Sequence, residues 1–186
     1  MKSLTALLLL SLLPGLFAVD LPNLKNESDW TIRFPAKRHQ SYRVVEYSRS
    51  EGTAAELTVS PGVFPYTELL LKTPVPVAQN AAEFQGAVGI RLKADSPAGF
   101  VAVSVRFEDA SGGVRQFRKT VKLRPGRFET IRIPVGETVR PDRVWGNRNK
   151  TITYPVTFIG LKFDYNPDVK SLKLTMDQLN WESVKP

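Results

Sequence analysis

One histidine, no cysteine and 18 scattered carboxylates bound what this chain could catalyse. A Ser–His–Asp triad would have to use His39, which stands in the polar stretch 37–40, and no serine carries a nucleophile-elbow glycine pattern. Composition excludes thiol catalysis, iron–sulfur chemistry and zinc held by several His or Cys ligands. Paired carboxylates remain, because glycoside hydrolysis needs two acids facing each other across a cleft. Glu108 and Asp109 are neighbours on one predicted strand and so point to opposite faces. Asp95, Glu129, Asp164 and Asp168 fall mostly at predicted turns, where acids satisfy the backbone. The residue types favour recognition over catalysis.

Two sets of side chains suit recognition. An aromatic ring grips a sugar by stacking on the apolar face of a pyranose, and Tyr66, Trp145, Tyr154 and Tyr165 lie where loops are expected. Trp145 stands beside Arg143, Gly146 and Asn147, whereas Trp30 and Trp181, near the two ends of the domain, are expected to pack against each other or the core. The basic set is Arg106, Arg118, Lys122, Arg132 and Lys162, each opposite the apolar positions of its run. Alternation would project them onto one sheet face, where arginines can hold carboxylates or sulfates in bidentate fashion. Arg106, Arg118, Arg132, Trp145 and Tyr154 are therefore the candidate ligand-binding residues. The alternative, that long basic side chains merely cover an exposed sheet, stays open.

Those positions need strands. Val101, Val103, Val105 and Phe107 alternate with Ser104 and Arg106, and period two returns in Val88, Ile90 and Leu92. It recurs in Phe117, Val121 and Leu123, in Ile131 and Ile133, in Ile159, Leu161 and Phe163, and in Leu172, Leu174 and Met176. Earlier strands are predicted over 42–47, 54–59 and 68–72. The stretch 109–113, Asp-Ala-Ser-Gly-Gly, reads as a hairpin loop with glycine where φ must be positive. Pro125-Gly126 and the stretch 165–168 mark further turns. Residues 80–84 are the only helix candidate, and 74–78 and 134–154 read as long loops. About ten short strands with polar turns make an all-β protein, an antiparallel two-sheet β-sandwich.

From residue 85 onward the order of these runs carries a resemblance. An alternating strand ends in an acidic turn and glycine (107–113), and a second strand spans 117–123. Pro-Gly-Arg-Phe-Glu-Thr-Ile-Arg-Ile-Pro follows at 125–134, then Ile-Gly-Leu-Lys-Phe at 159–163, and Leu-Lys-Leu-Thr-Met-Asp-Gln-Leu closes at 172–179. The pattern resembles the galactose-binding-like β-jelly-roll of many carbohydrate-binding modules. The resemblance implies a sandwich fold, sugar binding without catalysis, and a structural calcium ion. The matching closing-strand acid is Asp177, although Gln178 stands where the family often has a second acid.

Residues 1–18 read as a secretory signal peptide: Lys2, an apolar run from Leu4 to Leu13, helix-breaking Pro14-Gly15, and Ala18 before the cleavage point. The run is too short for a permanent span, and no later segment resembles one. Residues 19–186 form a single domain that needs no disulfides. Loss of Lys2 lowers the formal charge from +8 to +7, which favours anionic partners. Nucleic acid is not among them, since the bases are scattered and carry no known motif. The leading expectation is a secreted or periplasmic, non-catalytic carbohydrate-binding protein for polysaccharide, acidic polymers included, docking beside an enzyme or envelope protein. Its rival is a structural or protein-interaction sandwich of the cell envelope. A small carboxylate-using polysaccharide enzyme is the third.

Overall fold

The computed structural model describes residues 17–19, 21, 24, 26–33, 40–46, 53–59, 66–95, 100–147, 151–165 and 172–183. Most of the predicted leader, His39 and Asp168 lie outside them. The described residues form twelve strands: β1 Phe17–Val19, β2 Trp30–Arg33, β3 Gln40–Glu46, β4 Thr53–Val59, β5 Tyr66–Ala78 and β6 Gln85–Ala94. They continue as β7 Phe100–Asp109, β8 Gly113–Lys122, β9 Glu129–Gly136, β10 Arg143–Gly146, β11 Val156–Asp164 and β12 Leu172–Ser183. A single 3-10 turn, Glu27–Asp29, is the only helical element among the described residues.

The strands form two antiparallel sheets. One runs β3-β4-β12-β6-β9, with β1 pairing the far end of β12, and the other runs β10-β8-β7-β11-β5-β2. The chain passes from one sheet to the other between β5 and β6, back between β6 and β7, and again between β8 and β9. This crossing stitches the sandwich shut and confirms the jelly-roll expectation.

Alternation explains the core. Leu57, Val88, Ile90, Leu92, Ile133, Leu172, Leu174 and Met176 of the first sheet are fully buried, as are Leu69, Val101, Val103, Val105, Leu161 and Phe163 of the second. Between them lies an aromatic cluster. The Phe84 and Trp181 rings stack at 6.2 Å, and Phe107 meets Phe84, Trp181, Phe117 and Phe158 edge-on at 5.3 to 6.1 Å. Each such pair adds about 0.5–1.5 kcal/mol beyond the area it buries. Trp30 and Trp181 are core residues, as their positions suggested.

Several sequence expectations change. The stretch 80–84 makes one turn and no helix: Phe84 N–H donates to the Asn80 carbonyl, while the Asn80 and Glu83 side chains bond each other and the local backbone. Residues 74–78 belong to β5, whose outer half lacks a second neighbour because β2 pairs only with residues 68–71. Proline is tolerated on such an edge. Within 134–154 lie the end of β9 and all of β10. Alternation also breaks at two bulges. One between Phe158 and Gly160 buries Phe158 in place of Ile159, and one between Met176 and Gln178 lets Trp181 follow Met176 inward. Gly160 is required at its bulge, since φ is +149° and a Cβ would meet the Leu69 carbonyl oxygen at 2.3 Å.

Candidate functional site

The outer face of the second sheet is polar because every inward apolar residue alternates with an outward one. Register then decides which of these meet. Across β2, β5, β11, β7 and β8, one row reads Arg33, Glu68, Lys162, Ser104, Arg118. The next holds Gly160, Arg106, Gln116 and Arg143. Asp164 pairs with Tyr66 on the other side of the first row, and Trp145 pairs with Val114 near the hairpin end of β8. From these rows Arg33, Tyr66, Glu68, Arg106, Gln116, Arg143, Trp145, Lys162 and Asp164 line a cleft of about 560 Å³.

Two half-buried rings flank the cleft. Lys162 Nζ lies 4.6 Å from the centre of the Tyr66 ring, and the Arg106 guanidinium 5.1 Å from that of Trp145. Each ring is thus braced on one face by a cation. Tyr66 on β5 and Trp145 on β10 are four strands apart, roughly 19 Å at the usual strand spacing, and are offset further along the strand direction, level with Ala102 and Glu108 of β7 respectively.

The floor is a chain of oriented hydrogen bonds. Arg106 donates from Nη2 to Glu68 Oε1 at 2.7 Å and from Nε to Gln116 Oε1 at 3.0 Å, and Gln116 Nε2 donates to Asp142 Oδ2 at 2.9 Å. Lys162 donates to Asp164. Arg118 Nε stands 3.8 Å from Asp164 Oδ2, an ion pair without a hydrogen bond. Arg33 and Arg143 are exposed and have no carboxylate partner among the described residues. Most of the floor's charge is therefore internally balanced, with a cationic surplus toward the two edge strands.

The predicted site residues divide cleanly. Arg106 and Trp145 line the cleft, and Arg118 borders it on the same face. Arg132 does not join them. Its side chain points outward as alternation requires, but β9 belongs to the other sheet, where Arg132 pairs with Glu182. Tyr154 also lies elsewhere. Its hydroxyl donates to Glu137 at 2.8 Å, and burial followed by that bond raises its pKa above the ordinary tyrosine value. Tyr165 is a core residue that bonds Thr67. Tyr66, named only as a loop aromatic, opens β5 at the cleft.

Arg33, Glu68 and Gln116 were missed by sequence reasoning. Each sits one residue from a buried or partly buried apolar neighbour (Ile32, Leu69 and Phe117), so strand alternation alone could have placed them outward.

Asp177 occupies the β12 bulge. Its carboxylate accepts from Arg91 Nη1 at 2.7 Å, so a guanidinium already neutralises it. No three carboxylate, histidine or cysteine side chains gather into a metal site among the described residues. Asp109 has a local role. It receives hydrogen bonds from Ser111, Gly113 and Arg115 and so pins the β7–β8 hairpin, where Gly112 supplies the expected positive φ of +80°.

No protein-family model matches the chain, and no curated protein matches it significantly. Solved structures do. A family 11 carbohydrate-binding module from Clostridium thermocellum, in complex with a β-1,3-1,4-mixed-linked tetrasaccharide, superposes with a TM-score of 0.63 at 14% identity over 90% of this chain and 96% of that one. A CBM22-1 xylan-binding domain from Paenibacillus barcinonensis gives 0.53 at 12% identity over 93% and 97%. An arabinose-bound α-L-arabinofuranosidase gives 0.55 at 10% identity, with 88% of this chain covering 24% of that one. The fold is the β-sandwich jelly roll of carbohydrate-binding modules.

Proposed function

We propose that this protein binds polysaccharide without cleaving it, in the cleft of the second sheet between Tyr66 and Trp145. The observation that carries the reading is the pair of cation-braced rings flanking one polar floor. A sugar chain offers apolar ring faces and many hydroxyls. The two rings suit the first, and the donors and acceptors of Arg106, Gln116, Glu68 and Asp164 suit the second. The roughly 19 Å between the ring-bearing strands suits several sugar units rather than one. Two of the similar structures are a binding module in complex with a β-1,3-1,4-mixed-linked tetrasaccharide and a xylan-binding domain, which supports the same class.

The excess of basic over acidic side chains across this face favours acidic polymers within that class. A catalytic reading is less well supported, since Glu68 and Asp164 are each bonded to a basic side chain rather than facing each other across a substrate. The envelope-interaction alternative would use an apolar patch, and Val144 is the one exposed large apolar residue among those described. Export to the periplasm or beyond belongs to the same proposal and rests on the leader-like residues 1–18.

The test is a titration of the protein against neutral and acidic polysaccharides at low and high salt. Saturable binding, stronger for acidic polymers and weakened by salt, is expected. Failure to bind any polysaccharide would overturn the proposal, and a preference for neutral polymers would remove its acidic part.

A further inference from the structure

Beside the cleft, on the same face, a second hollow of about 530 Å³ opens between the outer half of β8 and the segment leading into β10. Arg118, Thr120, Arg140, Pro141 and Asp142 line it. We propose that this hollow is an anion subsite, which takes the sulfate or carboxylate of an acidic polysaccharide whose sugar rings lie in the cleft. The polymer part rests on the sugar-binding reading above; the anion part stands on the hollow itself.

The charge distribution distinguishes the two compartments. In the cleft, Arg106 is engaged by Glu68 and Lys162 by Asp164, so the centre of that floor is balanced. In the hollow, Arg140 has no carboxylate partner among the described residues, and Arg118 has only Asp164 at 3.8 Å, beyond hydrogen-bond reach. Asp142, the one acid lining it, accepts from the Gln116 amide through Oδ2. Arg118, Arg140 and Thr120 thus line one open space beside Asp142, whose Oδ2 is held by the Gln116 amide while its charge remains, leaving one net positive charge. Guanidinium forks match the planar carboxylate and the sulfate group, each of which can accept two parallel N–H bonds.

Position supports the division of labour. Arg118 and Thr120 share the outward face of β8 with Gln116, the residue whose side chain links cleft to hollow. Arg118 stands opposite Ser104, whose fully buried hydroxyl has no hydrogen-bond partner among the described residues. A polymer crossing the sheet from Tyr66 toward β8 therefore passes from a floor whose Arg106 and Lys162 are held by carboxylates to two arginines of which neither is hydrogen-bonded to a carboxylate among the described residues.

The test compares the full chain with the double variant Arg118→Ala/Arg140→Ala. The probes are neutral xylan, xylan bearing glucuronate, the same polymer after carboxyl reduction, and sulfated xylan. We expect the double variant to lose about tenfold or more in affinity for the charged polymer, falling to the neutral level, while binding of neutral xylan is unchanged. Its salt dependence should flatten in parallel. Glucuronate and sulfate arms tell which anion the hollow prefers. Retention of the acidic preference in the double variant, or its loss in Arg33→Ala/Arg143→Ala instead, overturns the inference. If the wild type binds none of the polymers, the sugar reading fails, and the hollow is judged by sodium sulfate alone. Saturable shifts of the Arg118 and Arg140 Nε–H resonances then uphold the anion subsite, and unmoved resonances overturn it.

Discussion

The guanidinium of Arg106 lies 5.1 Å from the centre of the Trp145 ring, which ties the central strand β7 to the edge strand β10 across β8. The same guanidinium bonds Glu68 on β5 and Gln116 on β8, so one side chain fixes the cleft floor in three directions. A ring braced in this way loses little freedom when a sugar stacks on it, and that is the physical basis of a binding site prepared in advance.

Trp145→Ala should therefore weaken polysaccharide binding by about 2 kcal/mol, roughly thirtyfold, as expected for an aromatic anchor. The loss should persist at high salt, because stacking is not screened as exposed charges are. Thermal melting should move by only a few degrees, since β10 is a four-residue edge strand. Isothermal titration at two salt concentrations, with a melting curve on the same sample, checks all three.

Arg132→Ala should leave binding untouched. Arg132 projects from the opposite sheet, and its partner Glu182 lies with it on the protein's far side. Because the arginine is largely exposed, losing the pair should cost no more than about 1 kcal/mol of stability. Reduced affinity in this variant would mean that the first sheet, not the second, carries the ligand.

Acid should loosen the β7–β8 hairpin. Burial pushes the Asp109 carboxyl upward in pKa, but hydrogen bonds from Ser111, Arg115 and Gly113 outweigh it and hold the pKa below the ordinary aspartate value. A group depressed in the folded state contributes stability that is full above its unfolded pKa of about 3.9 and is lost as pH falls through the folded value. Stability should thus decline below about pH 4, and more weakly so in Asp109→Asn. Asp109→Ala should cost about 3 kcal/mol at neutral pH, because it removes one member of the buried Asp109–Arg115 ion pair. Denaturant titrations between pH 3 and 7 measure both effects, and a wild-type and Asp109→Asn pair with the same acid slope would refute the assignment.

Calcium at Asp177 remains a proposal drawn from the closing-strand resemblance. An ion there must compete with the Arg91 guanidinium for the same carboxylate. It therefore requires that excess calcium raise the melting temperature relative to chelator and that Asp177→Asn abolish the rise. Equal melting temperatures in both solutions remove the ion from the account.

Much of the architecture was legible in the order of residues. Period-two alternation in 101–107 and 172–176 requires strands with one apolar face, whatever surrounds them, because successive side chains on a strand point to opposite sides. The hairpin at 109–113 was equally legible, since only glycine enters positive φ without cost, and Gly112 does so. Arg106 and Trp145 could be named as ligand candidates from residue type and position alone.

Only the tertiary structure decided which sheet each strand joins. Arg118 and Arg132 look equivalent in sequence, both basic and both opposite apolar neighbours. Pairing places β8 in one sheet and β9 in the other, so the two arginines face away from each other across the whole sandwich. The bulges at 158–160 and 176–178 likewise change which residues face inward, because one extra residue reverses a two-residue period. The cleft belongs to this second category. Tyr66 and Trp145 are 79 positions apart in the chain, and they share a site because β5 and β10 are joined through three intervening strands whose pairing depends on the folded whole.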